Sequence, residues 1–180
     1  MPTPFRPAMT LLVQYAEYHR DPRNIQTHLV GVPLIVLALG VLLAAPQVKV
    51  GGLTLTPAWF IFGLTALWYV TRGMLGLGVA VSGVVGALLW AGQEIATTTA
   101  SDRWAWGVGL FVVGWIIQFL GHYYEGRKPA FADDLVGLLV GPMFVVLELL
   151  AKLGLFGDVM RHIELQAGPT RLRDLAQPAG

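Results

Sequence analysis

Charge is what this sequence has least of. Only 13% of its 180 residues are Asp, Glu, Lys or Arg, against about 25% in an ordinary soluble domain. The deficit is uneven. From His28 to Ser101 the only charged side chains are Lys49, Arg72 and Glu94, and between Arg103 and Glu125 there are none. Such scarcity excludes a disordered chain, a nucleic-acid binder gripping phosphates through a basic patch, and an ordinary cytosolic enzyme. Cysteine is absent altogether, which excludes a disulfide-stapled secreted domain. The formal net charge of +1 points to no partner. What is abundant is apolar: 55% of the residues are hydrophobic and the mean hydropathy is +0.63. The composition is that of a small, all-α, multi-pass membrane helix bundle whose partner is the lipid bilayer.

A bilayer core of about 30 Å takes roughly 20 apolar residues of helix. Four segments meet that need: about Leu29 to Ala45, about Leu55 to Val70, about Met74 to Ala96 and about Trp104 to Leu120. Trp59, Trp68, Tyr69, Trp90, Trp104 and Trp106 lie towards segment ends, where rings prefer the headgroup region. The first segment begins too deep in the chain for a cleaved signal peptide. A fifth apolar run, Leu135 to Leu147, is short and is followed by Glu148 and Lys152, so it is either spanning or re-entrant. If it spans, Lys and Arg divide evenly between the two faces. If it does not, Lys152, Arg161, Arg171 and Arg173 join Arg6, Arg20, Arg23, Arg72, Arg127 and Lys128 against Lys49 and Arg103 alone. That second arrangement is a clear positive-inside signature, and it is the expectation carried forward. Both arrangements place the N-terminus in the cytoplasm, in a bacterial inner membrane or, in a eukaryote, the endoplasmic reticulum.

One domain is expected, over residues 1–167, followed by a flexible tail, 168–180. Ahead of the first span, Ala8 to His19 reads as a short helix, ended by the turn Asp21-Pro22-Arg23-Asn24. Gly78, Ser82 and Gly86 recur every four positions, and Gly137 to Gly141 is a GxxxG; both patterns read as close helix packing.

Three of the four histidines flank apolar segments. His19 and His28 stand on either side of the first span's start, and His122 ends the fourth. Four crossings separate His28 from His122, so all three emerge on one membrane face. Gln118, His122 and Glu125 fall at i, i+4 and i+7, a polar stripe on one helical face, and Tyr15 and His19 are one turn apart. Polar groups at such depth need partners. Neutral imidazoles beside a carboxylate suit a borderline transition metal such as Fe(II) or Zn(II). Blander readings stand beside this one: a single interfacial histidine is usually a helix cap, Glu125 has Arg127 and Lys128 for neighbours, and Asp133 and Asp134 suit a helix start.

The segment Tyr15-Ala16-Glu17-Tyr18-His19, then Asn24, then His28-Leu29-Val30-Gly31-Val32-Pro33 resembles the N-terminal signature of the Mpo-type membrane proteins. Gln118-Phe119-Leu120-Gly121-His122, Glu125, Lys128-Pro129-Ala130 and Asp133 are similar to the family's second signature. Gly141-Pro142-Met143-Phe144 with Glu148 is similar to its last apolar segment. The resemblance covers about residues 9 to 153, with His162 outside the pattern. It implies an iron(II)-dependent 2-hydroxy fatty acid dioxygenase of fatty acid α-oxidation, with O2 as co-substrate and a product one carbon shorter. The metal ligands it implies are His19, His28 and His122. Glu125 joins them in catalysis, either as a further ligand or by orienting His122; with three histidines already present, orientation is expected.

Three protein ligands leave positions on an octahedral ion for a chelating 2-hydroxy carboxylate and O2. Tyr15, Asn24, Gln118, Lys128 and Asp133 are candidate substrate-facing or supporting residues, and Arg20, Arg23 or Lys128 would hold the carboxylate. A zinc-dependent lipid hydrolase using Glu125 as base, a proton or ion carrier, and a scaffold whose histidines merely cap helices are the alternatives.

Overall fold

A computed structural model describes residues 5–176; residues 1–4 and the last part of the expected flexible tail, 177–180, lie outside it. The elements are α1 (Ala8–Ala16), α2 (Pro22–Leu42), the hairpin β1 (Val48–Val50) and β2 (Leu53–Leu55), α3 (Pro57–Val70), α4 (Leu75–Thr98), α5 (Arg103–Glu125), a 3₁₀ turn Ala130–Ala132, α6 (Gly137–Lys152) and α7 (Gly157–Ala167). Helices α2, α4 and α5 are long and apolar enough to cross a membrane. Helix α3 has 14 residues, about 21 Å at 1.5 Å per residue. The molecule is an all-α membrane bundle.

The first long helix starts at Pro22, ahead of the apolar run that begins near Leu29. The Asp21 side chain accepts the Arg23 N–H at 2.9 Å, and Pro22 takes the first helical position. An N-cap followed by proline nucleates the helix in polar sequence, before hydrophobicity alone would begin it. As a result His28 lies inside α2 rather than at its mouth.

Small residues decide how the helices meet. A Cβ on Gly31 of α2 would stand 2.7 Å from Gln118 Nε2 and 2.9 Å from the Gly114 carbonyl of α5; one on Gly114 would stand 2.7 Å from Ile35. At the far end Gly107 faces Leu42, and at the near end Gly121 faces Asn24 and Thr27. Contacts that run 24–42 against 121–107 make α2 and α5 antiparallel, so the start of α2 and the end of α5 share one end of the bundle. Gly78 and Gly86 of α4 likewise admit Tyr69 and Phe62 of α3, as the four-residue spacing predicts.

Gly51 and Gly52, with φ of 54° and 84°, make the tight turn of the exposed hairpin, where only φ > 0 matches the strand twist. That hairpin lies at the end of the bundle away from the start of α2, since Ala58 N–H bonds the Leu43 carbonyl at 3.3 Å. The α3–α4 turn returns to the other end, where the Ala8 N–H bonds the Arg72 carbonyl at 2.8 Å.

Helices α6 and α7 are bent by 120° about a short break. Gly154 (φ 81°) and Phe156 (φ 57°) supply the left-handed backbone that ends α6. Gly137 starts α6 beside Phe131, and Gly168, just past α7, offers its carbonyl to Arg20 at 2.8 Å. The Arg20 contact places the end of α7 beside the segment that joins α1 to α2, and the bent pair has the form of either a broken span or a re-entrant loop. Beyond α7 the Arg171 N–H bonds the Arg20 carbonyl at 2.9 Å and the Arg173 N–H bonds Asp21 Oδ2 at 2.8 Å.

Candidate metal centre

The α1–α2 segment carries His19 into the bundle. After Ala16 the chain tightens, with Tyr18 N–H on the Tyr15 carbonyl at 3.1 Å and His19 N–H on the Ala16 carbonyl at 3.0 Å. The His19 ring then stacks on Tyr15 with centroids 4.1 Å apart and planes 8° from parallel. Phe144 of α6 closes over both rings, at 5.2 Å from Tyr15 and 5.6 Å from His19. His28 comes from the second turn of α2 and His122 from the last turn of α5. Close packing through Gly31, Gly114 and Gly121 brings these two helix ends together.

His19, His28 and His122 form one cluster, each offering a ring nitrogen within 4.8 Å of the others. They are 0%, 2% and 7% exposed. Among the described residues this is the only group of three or more His, Cys, Asp or Glu side chains so arranged. His162 stands exposed on α7, outside the cluster.

Hydrogen bonding fixes which nitrogen faces inward. His19 Nδ1 lies 2.7 Å from the Tyr15 carbonyl oxygen and His28 Nδ1 lies 2.9 Å from the Asn24 carbonyl oxygen. A carbonyl only accepts, so both Nδ1 atoms carry the proton and both Nε2 atoms are bare lone pairs. Those two Nε2 atoms face each other at 3.1 Å. Burial, and then the neighbouring His28, push the His19 pKa well below its usual value, so that ring stays neutral. Two lone pairs at this distance repel unless a cation lies between them. Imidazole–metal bonds of about 2.0–2.1 Å hold two nitrogens about 3 Å apart at a right angle and about 3.4 Å apart at a tetrahedral angle. His122 Nδ1 is buried with no hydrogen-bond partner. The donor set and its spacing fit a divalent transition metal.

Glu125 is not part of the cluster. Its two oxygens both accept the Arg20 N–H at 3.0 Å, and Oε2 also accepts the Asp21 N–H at 2.9 Å and Asn24 Nδ2 at 3.0 Å. The carboxylate fastens the His19 segment to α5. Asn24 is wholly buried; its side chain also donates to the Tyr18 carbonyl at 3.1 Å, while its backbone carbonyl orients His28.

Two hollows meet at His122. One is an apolar cavity of about 320 Å³ between α2, α5 and α6, walled by Val32, Ile35, Leu39, Phe111 and Trp115 and reached by Tyr15, His28, Gln118 and His122. The other is an open hollow of about 1050 Å³ whose lining includes the charged residues Lys128, Arg127, Arg173, Glu17 and Asp133 and, again, His122. Lys128 Nζ bonds Asp133 Oδ1 at 2.5 Å and the Tyr18 hydroxyl bonds Asp133 Oδ2 at 2.8 Å. The ammonium first, then the phenol, hold the Asp133 carboxyl below its usual pKa.

Of the three expected carboxylate-holding cations, Lys128 lines this hollow, paired with Asp133, whereas Arg20 and Arg23 do not line it. The Arg20 guanidinium is spent on the Ala16, His19 and Gly168 carbonyls. Arg23 pairs with Asp21 at 2.7 Å and lies over the Tyr124 ring at 4.8 Å. Both arginines serve the scaffold, because the turn they stand on needs its carbonyls and its buried aspartate satisfied. Asp21 and Arg173 are the positions the sequence did not single out. For Asp21 the Asp-Pro pair opening a helix was a legible signal. For Arg173, beyond the family-like segment, there was none.

The family of 2-hydroxy-palmitic acid dioxygenase Mpo1-like proteins matches residues 5–153. The chain belongs to the Mpo1-like family. A relative from Saccharomyces cerevisiae, 2-hydroxy-palmitic acid dioxygenase MPO1, is 32% identical over 153 residues, 83% of each chain. No solved structure matches this chain. The Mpo1-like segment takes in all three clustered histidines, Gln118 and Glu125, and both walls of the apolar cavity.

Proposed function

We propose that this Mpo1-like protein is an iron(II)-dependent dioxygenase of 2-hydroxy fatty acids. The reaction converts a 2-hydroxy acid and O2 into the fatty acid one carbon shorter, CO2 and water: the C1–C2 bond breaks, C2 is oxidised to the new carboxyl carbon, and O2 is reduced. The observation that carries the reading is the buried trio of histidines, two with lone pairs face to face, at the junction of an apolar cavity and a cationic hollow.

His19, His28 and His122 would hold the metal. Bound there, Fe(II) supplies the centre at which a chelating 2-hydroxy acid and O2 meet. The rest is the work of the chain. Tyr15 and Phe144 fix the plane of His19, and the Tyr15 and Asn24 carbonyls fix the tautomers of His19 and His28. Lys128 and Arg173 draw the carboxylate to the hollow, while Val32, Ile35, Leu39 and Phe111 receive the acyl tail and keep water from it. A lipid substrate explains why the site opens inside a membrane bundle. The positive-inside bias, with α6 and α7 re-entrant, favours a cytoplasmic N-terminus and a cytoplasmic metal face.

The zinc hydrolase reading needs Glu125 as a general base facing the substrate. Three donors occupy that carboxylate instead, the Arg20 and Asp21 N–H groups of the α1–α2 segment and the Asn24 amide of α2.

Protein purified anaerobically and loaded with Fe(II) is expected to convert 2-hydroxypalmitate into pentadecanoate, with label at C1 appearing as CO2. The metal-free protein and the zinc-loaded protein are expected to form neither product. Absence of chain shortening with iron-loaded protein across 2-hydroxy acids of different lengths would overturn the proposal.

A further inference from the structure

His19 stands on the turn between α1 and α2, outside either helix, so no helical ladder holds it in place. Glu125 grips that turn from α5. The tail beyond α7 grips it too. The Gly168 carbonyl accepts Arg20 Nη1 at 2.8 Å, the Arg171 N–H donates to the Arg20 carbonyl at 2.9 Å, and the Arg173 N–H donates to Asp21 Oδ2 at 2.8 Å. The Arg173 carbonyl in turn accepts Arg23 Nη2 at 2.8 Å. The Asp21 carboxylate, 1% exposed, is otherwise served only by Arg23 among the described residues. A segment with no regular structure of its own thus spends its backbone groups on the residues that follow His19.

Arg173 also reaches α5. Its guanidinium lies against the left-handed C-cap of that helix: a Cβ on Gly126 would stand 2.5 Å from Arg173 Cζ, and Nη1 lies 3.4 Å from the Tyr123 carbonyl. Tyr123 follows His122 directly. One residue therefore touches the turn that bears His19 through its backbone and the helix end that bears His122 through its side chain. The tail is the second tether between those two segments, after Glu125.

We propose that Arg173 is a positioning residue for the metal centre: through it the C-terminal tail straps the turn carrying His19 to the end of α5 carrying His122. The role rests on the histidine centre of the function proposed above, and not on the reaction run there. Arg173 lies beyond residues 5–153, so the strap comes from outside the family segment. The His19 and His28 lone pairs, 3.1 Å apart, repel without a cation, so the bound metal and the docked tail favour the same position of the turn. Linkage is reciprocal: a tail that favours metal binding is itself held more firmly once the metal is bound.

Two measurements on the full chain test it, both with anaerobic Fe(II) alone. With no fatty acid present, any attraction of Arg173 for a carboxylate does not enter. In the unaltered protein, trypsin cleavage after Arg171 and Arg173 is expected to slow about 3–10-fold when Fe(II) is bound, the worth of one net hydrogen bond. Arg173→Ala keeps the backbone bonds and removes the guanidinium. Its Fe(II) affinity is expected to fall about 3–10-fold on the same basis, and the protection of the Arg171 site by Fe(II) to shrink with it. The metal-dependent cleavage is the decisive readout, since a merely structural role would shift the denaturation midpoint and leave the tail blind to the metal. Should Arg173→Ala fail to fold, Arg171→Pro, which deletes the N–H donated to the Arg20 carbonyl, is read in the same way at the Arg173 site. Tail cleavage at one rate with and without Fe(II), or wild-type Fe(II) affinity in the variant, overturns the proposal. Fe(II) that protects the tail of a protein shortening no 2-hydroxy acid would sink the dioxygenase reading and leave the strap standing. A protein that binds no Fe(II) overturns both.

Discussion

At the scale of the residue, the backbone rather than any side chain sets the state of His19 and His28. Each imidazole spends its Nδ1 proton on a carbonyl one turn earlier, Tyr15 for one and Asn24 for the other. What remains is a pair of inward lone pairs that only a cation relieves. His19→Ala, His28→Ala and His122→Ala are each expected to purify with iron near zero by elemental analysis, while His162→Ala keeps the wild-type content, because two imidazoles hold a labile divalent ion too weakly. Glu125 acts at one remove. Its carboxylate gathers the Arg20 and Asp21 N–H groups and the Asn24 amide, so it positions the segment bearing His19 and the residue that orients His28. Glu125→Gln keeps one carbonyl but turns an NH2 towards other donors. Iron affinity, measured by competition with a chelator, is expected to fall about 10–100-fold without vanishing; complete loss would make the carboxylate a ligand.

At the scale of the element, the α2–α5 contact brings His28 and His122 together. Glycine is required at Gly121, where a Cβ would collide with the Asn24 and Thr27 side chains. Gly121→Ala is expected to destabilise the protein by about 1–3 kcal/mol, the usual penalty of overpacking. Because Asn24 must move to admit the methyl, iron content is expected to fall with it. A denaturation midpoint and elemental analysis on the same preparation check both outcomes. Gly83, which has open space around it, is the control: Gly83→Ala is expected to leave iron unchanged. Helix α1 contributes differently, by burying Leu11, Leu12 and Tyr15 in the core, with Tyr15 stacked on His19.

At the scale of the whole molecule, large apolar side chains such as Phe60, Leu64, Leu67, Val112, Ile116 and Phe119 stand exposed on α3 and α5. In a bilayer these are the lipid-facing surface, while the buried histidines, with Asp21, Asn24, Arg72 and Gln118, lie towards the end of the bundle where α2 begins. With no native cysteine, single cysteines report topology directly. Glu17→Cys, Lys128→Cys and Glu164→Cys are expected to react with an impermeant maleimide from one side of sealed vesicles, and Thr54→Cys in the hairpin from the other. Labelling of Glu164→Cys together with Thr54→Cys would make α6 and α7 a crossing rather than a return.

The bilayer environment, the helical class and the shared face of three histidines were legible in the sequence. Each follows from a local rule: apolar length against bilayer thickness, and an even number of crossings between His28 and His122. Gly78 and Gly86 announced close packing by their spacing alone. Start and direction were less legible. Helix α2 begins at Pro22 because a capping aspartate outweighs the polarity of the first turns, and the hairpin forms because Gly51-Gly52 turns Val48–Val50 back onto Leu53–Leu55. The roles of Arg20, Arg23, Glu125 and Gln118 were decided only by the tertiary structure. Whether a buried charge or amide meets backbone, ion or empty cavity depends on what a distant segment places against it. Here the α1–α2 turn takes up the Glu125 carboxylate, the carbonyls beside it take up Arg20, and among the described residues Gln118 Nε2 has no hydrogen-bond partner.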